Sequence, residues 1–205
     1  MKRVVLISIL SLLICTGAAA RRHESNVPCV TFGAEWSYSA AFLKGYHYYF
    51  IAPEGFRIEE RDNRATFHSN CEVYLHAGYN LNGNWNLSLY AGYAGIGDFH
   101  TGIPVSLRMT RFFGNDPLQD RWFAYCDIGS GISIKKDPQE LLSGKIGVGY
   151  RLSMSKYTKV DFIAALRCIH THPDIEYFGE KISLESVSRS SGYIISASVG
   201  IGITF

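Results

Sequence analysis

His170 and His172 flank a single threonine, and Asp174 follows two residues later. On an extended strand, side chains at i and i+2 point the same way. A histidine oriented by a carboxylate can take the proton of a serine hydroxyl, and Ser186, Ser188 and Ser190 come shortly downstream. The chemistry on offer is acyl transfer, with serine as nucleophile, histidine as base and aspartate as orienter. No nucleophile elbow or other local catalytic motif surrounds these serines, so the expectation is a protein that is not an enzyme. The two imidazoles could also share a metal ion, but no convincing further ligands accompany them. No metal and no cofactor is expected.

A second set of residues has chemistry of a different kind. Glu35, Glu72, Arg108, Asp127, Lys145, Arg151, Asp161 and Arg167 comprise four acids and four bases. Each sits in a run where every second residue is apolar, on the phase opposite the apolar one. Charges of both signs that leave water together must neutralise and hydrogen-bond one another. Their expected role is a structural ion-pair network in an enclosed interior, with Tyr74, His76 and Tyr90 beside them. Arg111 departs from the pattern, continuing the apolar phase of its strand, so it would have to snorkel to a polar boundary.

The elements that must position these residues follow a period of two, the signature of half-buried strands. Eight runs alternate: Val30 to Phe42, Cys71 to Tyr79, Trp85 to Tyr93, Ile103 to Met109, Trp122 to Ile132, Leu142 to Leu152, Val160 to Cys168, and Tyr193 to Phe205. Most have about the 9–11 residues needed for a tilted strand to cross a bilayer. The links alternate in length. Asn80–Asn84, Gly114–Gln119 and Met154–Tyr157 are short, whereas residues 43–66 and 171–190 are long, with intermediate links near 95–101 and 135–139. Turns on one side and loops on the other describe an up-and-down barrel with both chain ends on the turn side. Trp85, Phe113, Trp122 and Phe205 fall near the turns, and Trp36, Tyr38, Tyr93 and Tyr193 toward the loops. Two aromatic levels around an aliphatic band form a girdle. A soluble sandwich also alternates, but its wet face would carry far more mixed charge than the apolar phase does here.

Lys2 and Arg3, the apolar run from Val4 to Ile14 and the small residues Ala18–Ala20 compose a secretory signal, with cleavage expected after Ala20. The domain reading is therefore 1–20 signal peptide and 21–205 β-barrel. Removing Lys2 and Arg3 from the 20 basic residues leaves 18 against 18 acidic ones, so no basic excess points to nucleic acid. The remaining cysteines, Cys29, Cys71, Cys126 and Cys168, match no zinc spacing. The last three lie on the apolar phase and read first as small hydrophobes and second as disulfide partners.

These features together resemble the small eight-stranded outer-membrane β-barrel family of Gram-negative bacteria, the OmpA/OmpX-type barrels. The resemblance spans the whole chain after the leader. Its most specific element is the final strand, where Tyr193, Val199, Ile201, Ile203 and Phe205 match the C-terminal signal that this family presents to the barrel-insertion machinery. The resemblance implies an all-β, eight-stranded antiparallel transmembrane barrel in the cell outer membrane, with lipid and lipopolysaccharide around it. A barrel of this size is filled by its own side chains. The expected function is therefore structural or surface-interacting, through the loops 43–66 and 171–190 and any ligand they engage. A narrow channel or transport accessory is the alternative, and a lipid-modifying enzyme at the membrane face a weaker one.

Overall fold

Every alternating run becomes a strand in the computed structural model, which describes residues 28–95, 101–114, 116–134, 140–172, 175–177, 180–182 and 186–205. The expected leader lies outside the described residues. The strands are β1 (Val30–Ile51), β2 (Arg57–Asn80), β3 (Trp85–Gly95), β4 (Thr101–Phe112), β5 (Arg121–Ser133), β6 (Glu140–Ser153) and β7 (Lys159–Thr171). A small hairpin, β8 (Glu176–Tyr177) and β9 (Glu180–Lys181), precedes β10 (Val187–Thr204). β1 to β7 and β10 form a closed antiparallel barrel in which each strand pairs with its neighbour in sequence and β10 returns to β1. Closure removes the free strand edges that cannot exist in hydrocarbon. At the seam Phe32 and Phe205 exchange both backbone hydrogen bonds, at 3.1 and 2.8 Å, and their rings stack at 5.7 Å.

The three short links are built by side chains that accept backbone N–H groups, the usual device of Asn, Asp and Ser in turns. Asn82 Oδ1 accepts from the amides of Asn84 and Trp85 at 2.8 and 2.9 Å. Asp116 Oδ1 accepts from Leu118 at 2.8 Å. Ser155 Oγ accepts from Tyr157 and Thr158.

The phase of the alternation decides which residues meet which medium. Leu75, Ile128, Ile146, Val148 and Val199 each keep more than half of their surface open on the outside. Glu35, Glu72, Arg108, Lys145, Asp161 and Arg167 are buried inside. The interior is packed by pairing large rings with absent side chains. Phe123 faces Gly149, and Tyr125 faces Gly147, across β5 and β6. A Cβ at Gly149 would overlap the Phe123 ring and crowd the Phe162 carbonyl oxygen at 2.5 Å. Gly149→Ala is therefore expected to cost about 1–3 kcal/mol through overpacking, read as a lower urea midpoint of the folded barrel in micelles.

Two expectations change. Residues 43–66 are not a loop. β1 and β2 run on as a regular hairpin whose turn is only Ala52 to Phe56, held by Ala52 and Gly55 backbone bonds of 2.9 Å. β2 pairs with β3 only from Glu72 onward, and β10 pairs with β7 only from Gly192 onward. Beyond those points β10, β1 and β2 project as a three-stranded sheet. A bulge between Ala41 and Leu43 shifts the side-chain phase where this projection leaves the barrel. Within residues 171–190 lies the β8–β9 hairpin, set against the projection: Phe50 contacts Tyr177 edge to face at 5.8 Å.

Candidate functional site

The lumen is the most organised polar region. Arg108 reaches across from β4 to Glu35 on β1, with Nη1 donating to Oε2 at 2.5 Å and Nη2 to Oε1 at 3.3 Å. Its Nε and Nη2 also donate to Asp127 Oδ2 on β5, both at 3.2 Å. Lys145 on β6 donates to Glu72 Oε2 on β2 at 2.8 Å and lies 4.0 Å from Glu35. Arg167 on β7 holds the other oxygen of Glu72 at 2.5 Å. Six of the eight sequence-derived charges thus form one network of three cations and three carboxylates. Arg167 also donates to Ser196 Oγ on β10 at 3.3 Å and to the Gly95 carbonyl at the end of β3 at 2.9 Å. Side chains of six strands are cross-linked by ions, and the remaining two strands are tied in by these hydrogen bonds.

The other two charges form a separate pair nearer the short turns. Arg151 grips Asp161 through Nε and Nη2 at 2.6 and 2.7 Å, and Thr204 Oγ1 lies 3.3 Å from the same carboxylate. Aromatic faces line the cations. The Arg108 guanidinium sits between the rings of Tyr90 and Tyr125, at 3.8 and 4.2 Å, a cation–π arrangement favoured where water is excluded. His76 stacks on Tyr90 at 4.7 Å. Between the network and the Arg151–Asp161 pair the lumen leaves a cavity of about 20 Å³, bordered by His76, Asn86, Tyr90 and Arg151 among others, room for about one water molecule.

Arg121 was not anticipated as a lumen residue, although its place beside the outward Trp122 gives it the inward phase. It is buried, lies over Phe112 at 4.1 Å and donates to the Gly83 carbonyl at 2.6 Å. Phe112 and Phe123 share that inward phase. Arg111 does face outward, and it finds its polar boundary among aromatics, 5.5 Å from the Trp85 ring and 5.7 Å from Phe113. Trp36, Tyr38, Tyr93, Phe113, Trp122 and Phe205 are all exposed on the outer face, joined there by Phe42 and Phe67. All four described cysteines are free and exposed. Cys71 accepts a hydrogen bond from Trp36 Nε1 at 3.0 Å.

The projecting sheet carries the second polar region. On its lumen side Tyr46 stacks on Tyr48 at 4.8 Å and donates to Glu60 at 2.8 Å. That hydrogen bond to a carboxylate raises the Tyr46 phenol above its ordinary pKa. Arg64 pairs with Asp62 along the same strand. On the outer side His47 meets Glu59 at 3.0 Å, and the Tyr193 hydroxyl donates to Asn63 at 3.0 Å. The Tyr193 ring crosses β1 over Gly45, where a Cβ would overlap it.

At the rim, His170 Nε2 lies 3.1 Å from Ser191 Oγ, and the His172 ring packs on His170 at 4.9 Å. Asp174 is outside the described residues. The serine beside the histidine is Ser191, one position beyond the three singled out by sequence. Among the described residues no three His, Cys, Asp or Glu side chains converge as a metal site would require.

No family model and no curated protein matches this chain. Solved structures do. The outer membrane protein OprG of Pseudomonas aeruginosa superposes with a TM-score of 0.52, over 88% of this chain and 98% of its own, at 10% identity. The N-terminal β-barrel domain of Pseudomonas aeruginosa OprF gives 0.41 at 17% identity, over 83% of this chain and 97% of that one. Neisserial surface protein A gives 0.39 at 12%, over 83% and 95%. The likeness to OprG is one of fold, and the fold is an outer-membrane β-barrel.

Proposed function

We propose that this chain, an outer-membrane β-barrel by fold, is an integral protein of the bacterial outer membrane with a plugged lumen and a surface-interaction role. The observation that carries the reading is the inversion of ordinary protein logic around a closed barrel: aliphatic side chains outside, neutralised ions within. An exposed apolar surface of that extent is stable only against lipid. Outer-membrane lipid and lipopolysaccharide are therefore its surroundings. Heat-modifiability tests it. The folded barrel in SDS is expected to migrate differently before and after boiling, and a chain from the outer-membrane fraction with no shift overturns the reading.

The six-membered ion network is the plug. Its carboxylates are bridged by cations from other strands, an arrangement that opposes a continuous aqueous path. In planar bilayers the protein is expected to give no resolvable single-channel current. Steady conductance steps would favour the channel alternative instead. Surface interaction belongs to the projecting β10–β1–β2 sheet and the β8–β9 hairpin, the parts of 43–66 and 171–190 that stand clear of the barrel. Tyr193, Val199, Ile201, Ile203 and Phe205 suit a C-terminal insertion signal. Val199 to Phe205 expose alternate apolar side chains along the strand that must find β1 last.

A further inference from the structure

Ser191 and His170 occupy the outer face of the barrel wall, at the end of the membrane-facing strands. In register, Tyr193 stands opposite His170, and Ile195 opposite Cys168. Ser191 is the next residue up on the outward phase of β10, diagonal to His170, with Nε2 3.1 Å from its hydroxyl oxygen. On the other side of Ser191, His47 is its cross-strand neighbour, but His47 Nε2 is already engaged by Glu59. The imidazole facing the hydroxyl is thus His170, and the His172 ring packed edge-on against it limits its rotation.

A second observation lies immediately below. The outer wall beneath His170 is notched by Gly144, whose position is open: the nearest atom a Cβ would meet is the Asp127 carbonyl oxygen, 3.9 Å away. The notch belongs to a shallow, open apolar groove on the outer wall, bordered by Cys168, Ile195, Leu166, Ile146, Cys126 and Leu107. In a membrane the surroundings of that wall are acyl chains. Cys168 and Ile195, at its upper end, are one outward step below His170 and Tyr193.

We propose that Ser191 and His170 are the nucleophile and base of an acyl-ester hydrolase acting on outer-leaflet lipid, with the acyl chain lying in the Gly144 groove. Ser191 Oγ attacks the ester carbonyl carbon while its proton passes to His170 Nε2. The tetrahedral intermediate collapses, the ester C–O bond breaks, and the leaving alcohol takes the proton from His170. A water then attacks the acyl-Ser191 carbonyl, giving a proton to His170. The C–Oγ bond breaks, Ser191 recovers that proton, and a fatty acid leaves. No oxidant, metal or cofactor enters the balance. Phase and level suit this chemistry. The groove holds hydrocarbon, and the dyad stands where the barrel wall gives way to the projecting sheet, the depth at which a lipid's ester linkages lie.

The activity goes beyond the plugged-barrel reading but rests on its lipid-facing surface, and the test separates the two. The full refolded chain in detergent micelles is treated with alkyl fluorophosphonates of short and long chain, with heat-modifiability confirming the fold of each variant. Expected are phosphonylation mapped to Ser191, its loss in Ser191→Ala, and a rate about 100-fold lower or less still in His170→Gln, the scale of a missing general base. Gly144→Leu, which fills the notch, is expected to slow the long-chain reagent more than the short one. A heat-shifting wild type that stays unlabelled, or labelling unchanged in Ser191→Ala, overturns the hydrolase while leaving the barrel intact. Equal slowing of both reagents by Gly144→Leu overturns the groove assignment, and absence of the heat shift overturns the barrel.

Discussion

Glu72→Leu is expected to destabilise the barrel by about 3–5 kcal/mol, the cost of leaving buried charges without their partner. Glu72 has no exposed surface, and its two oxygens hold Lys145 and Arg167 from two other strands at 2.8 and 2.5 Å. Leucine fills the space but strands both cations in an interior that water does not reach. The readout is the urea midpoint of the heat-shifted band, which should fall sharply. The triple variant Glu72→Leu, Lys145→Met, Arg167→Met removes Glu72 together with both cations it holds and leaves Glu35 and Asp127 paired with Arg108. Replacing a buried ionic cluster by apolar side chains of similar volume is often neutral or stabilising, so much of the lost stability should return. A triple variant no better than the single one would show that desolvated charge is not what Glu72→Leu exposes.

Ile146→Arg is the second large effect, expected at about 2–4 kcal/mol for a cation near the bilayer midplane on the lipid face of a barrel. Ile146 lies midway along β6 between Cys126 and Leu166 and is 62% exposed. In a water-soluble protein an arginine at so open a site would change stability by no more than about 0.5 kcal/mol. The variant therefore separates lipid from water directly. It is measured as the shift in urea midpoint after folding into lipid bilayers, with Ile146→Leu as the near-neutral companion. An Ile146→Arg barrel as stable as the parent would mean that this belt does not face hydrocarbon.

The barrel itself was written into the chain at short range. Each strand announces its two faces through residues two positions apart, so the inward charge of Arg108 beside the outward Leu107 and Met109 needs no tertiary information. The projecting sheet was hidden for the same reason. From Tyr46 onward the strands stand clear of the barrel wall, so Tyr46, Tyr48, Glu60, Asp62 and Arg64 sit together on one face without an apolar signature. The bulge after Ala41 resets the phase as well. The tyrosines and Phe50 retain strand propensity, but propensity alone does not distinguish a hairpin from an aromatic loop. Ser191 was passed over because, among several serines in succession, only the phase of β10 and the position of His170 on the neighbouring β7 select it.

Alternation by itself determined that this protein is all-β, where its short turns fall and which side chains turn inward. These are local properties, fixed by the direction of each Cα–Cβ bond along a pleated strand. Arg108–Asp127 and Arg151–Asp161 follow from the register of adjacent strands, but which ion meets which across the lumen was decided only on closure. Arg108 and Glu35 are 73 residues apart, as are Lys145 and Glu72. They meet because the stagger of eight strands brings particular levels of opposite walls together. The pairing of β10 with β7 places a histidine against a serine, and Gly144 on the adjacent β6 leaves a notch beneath them.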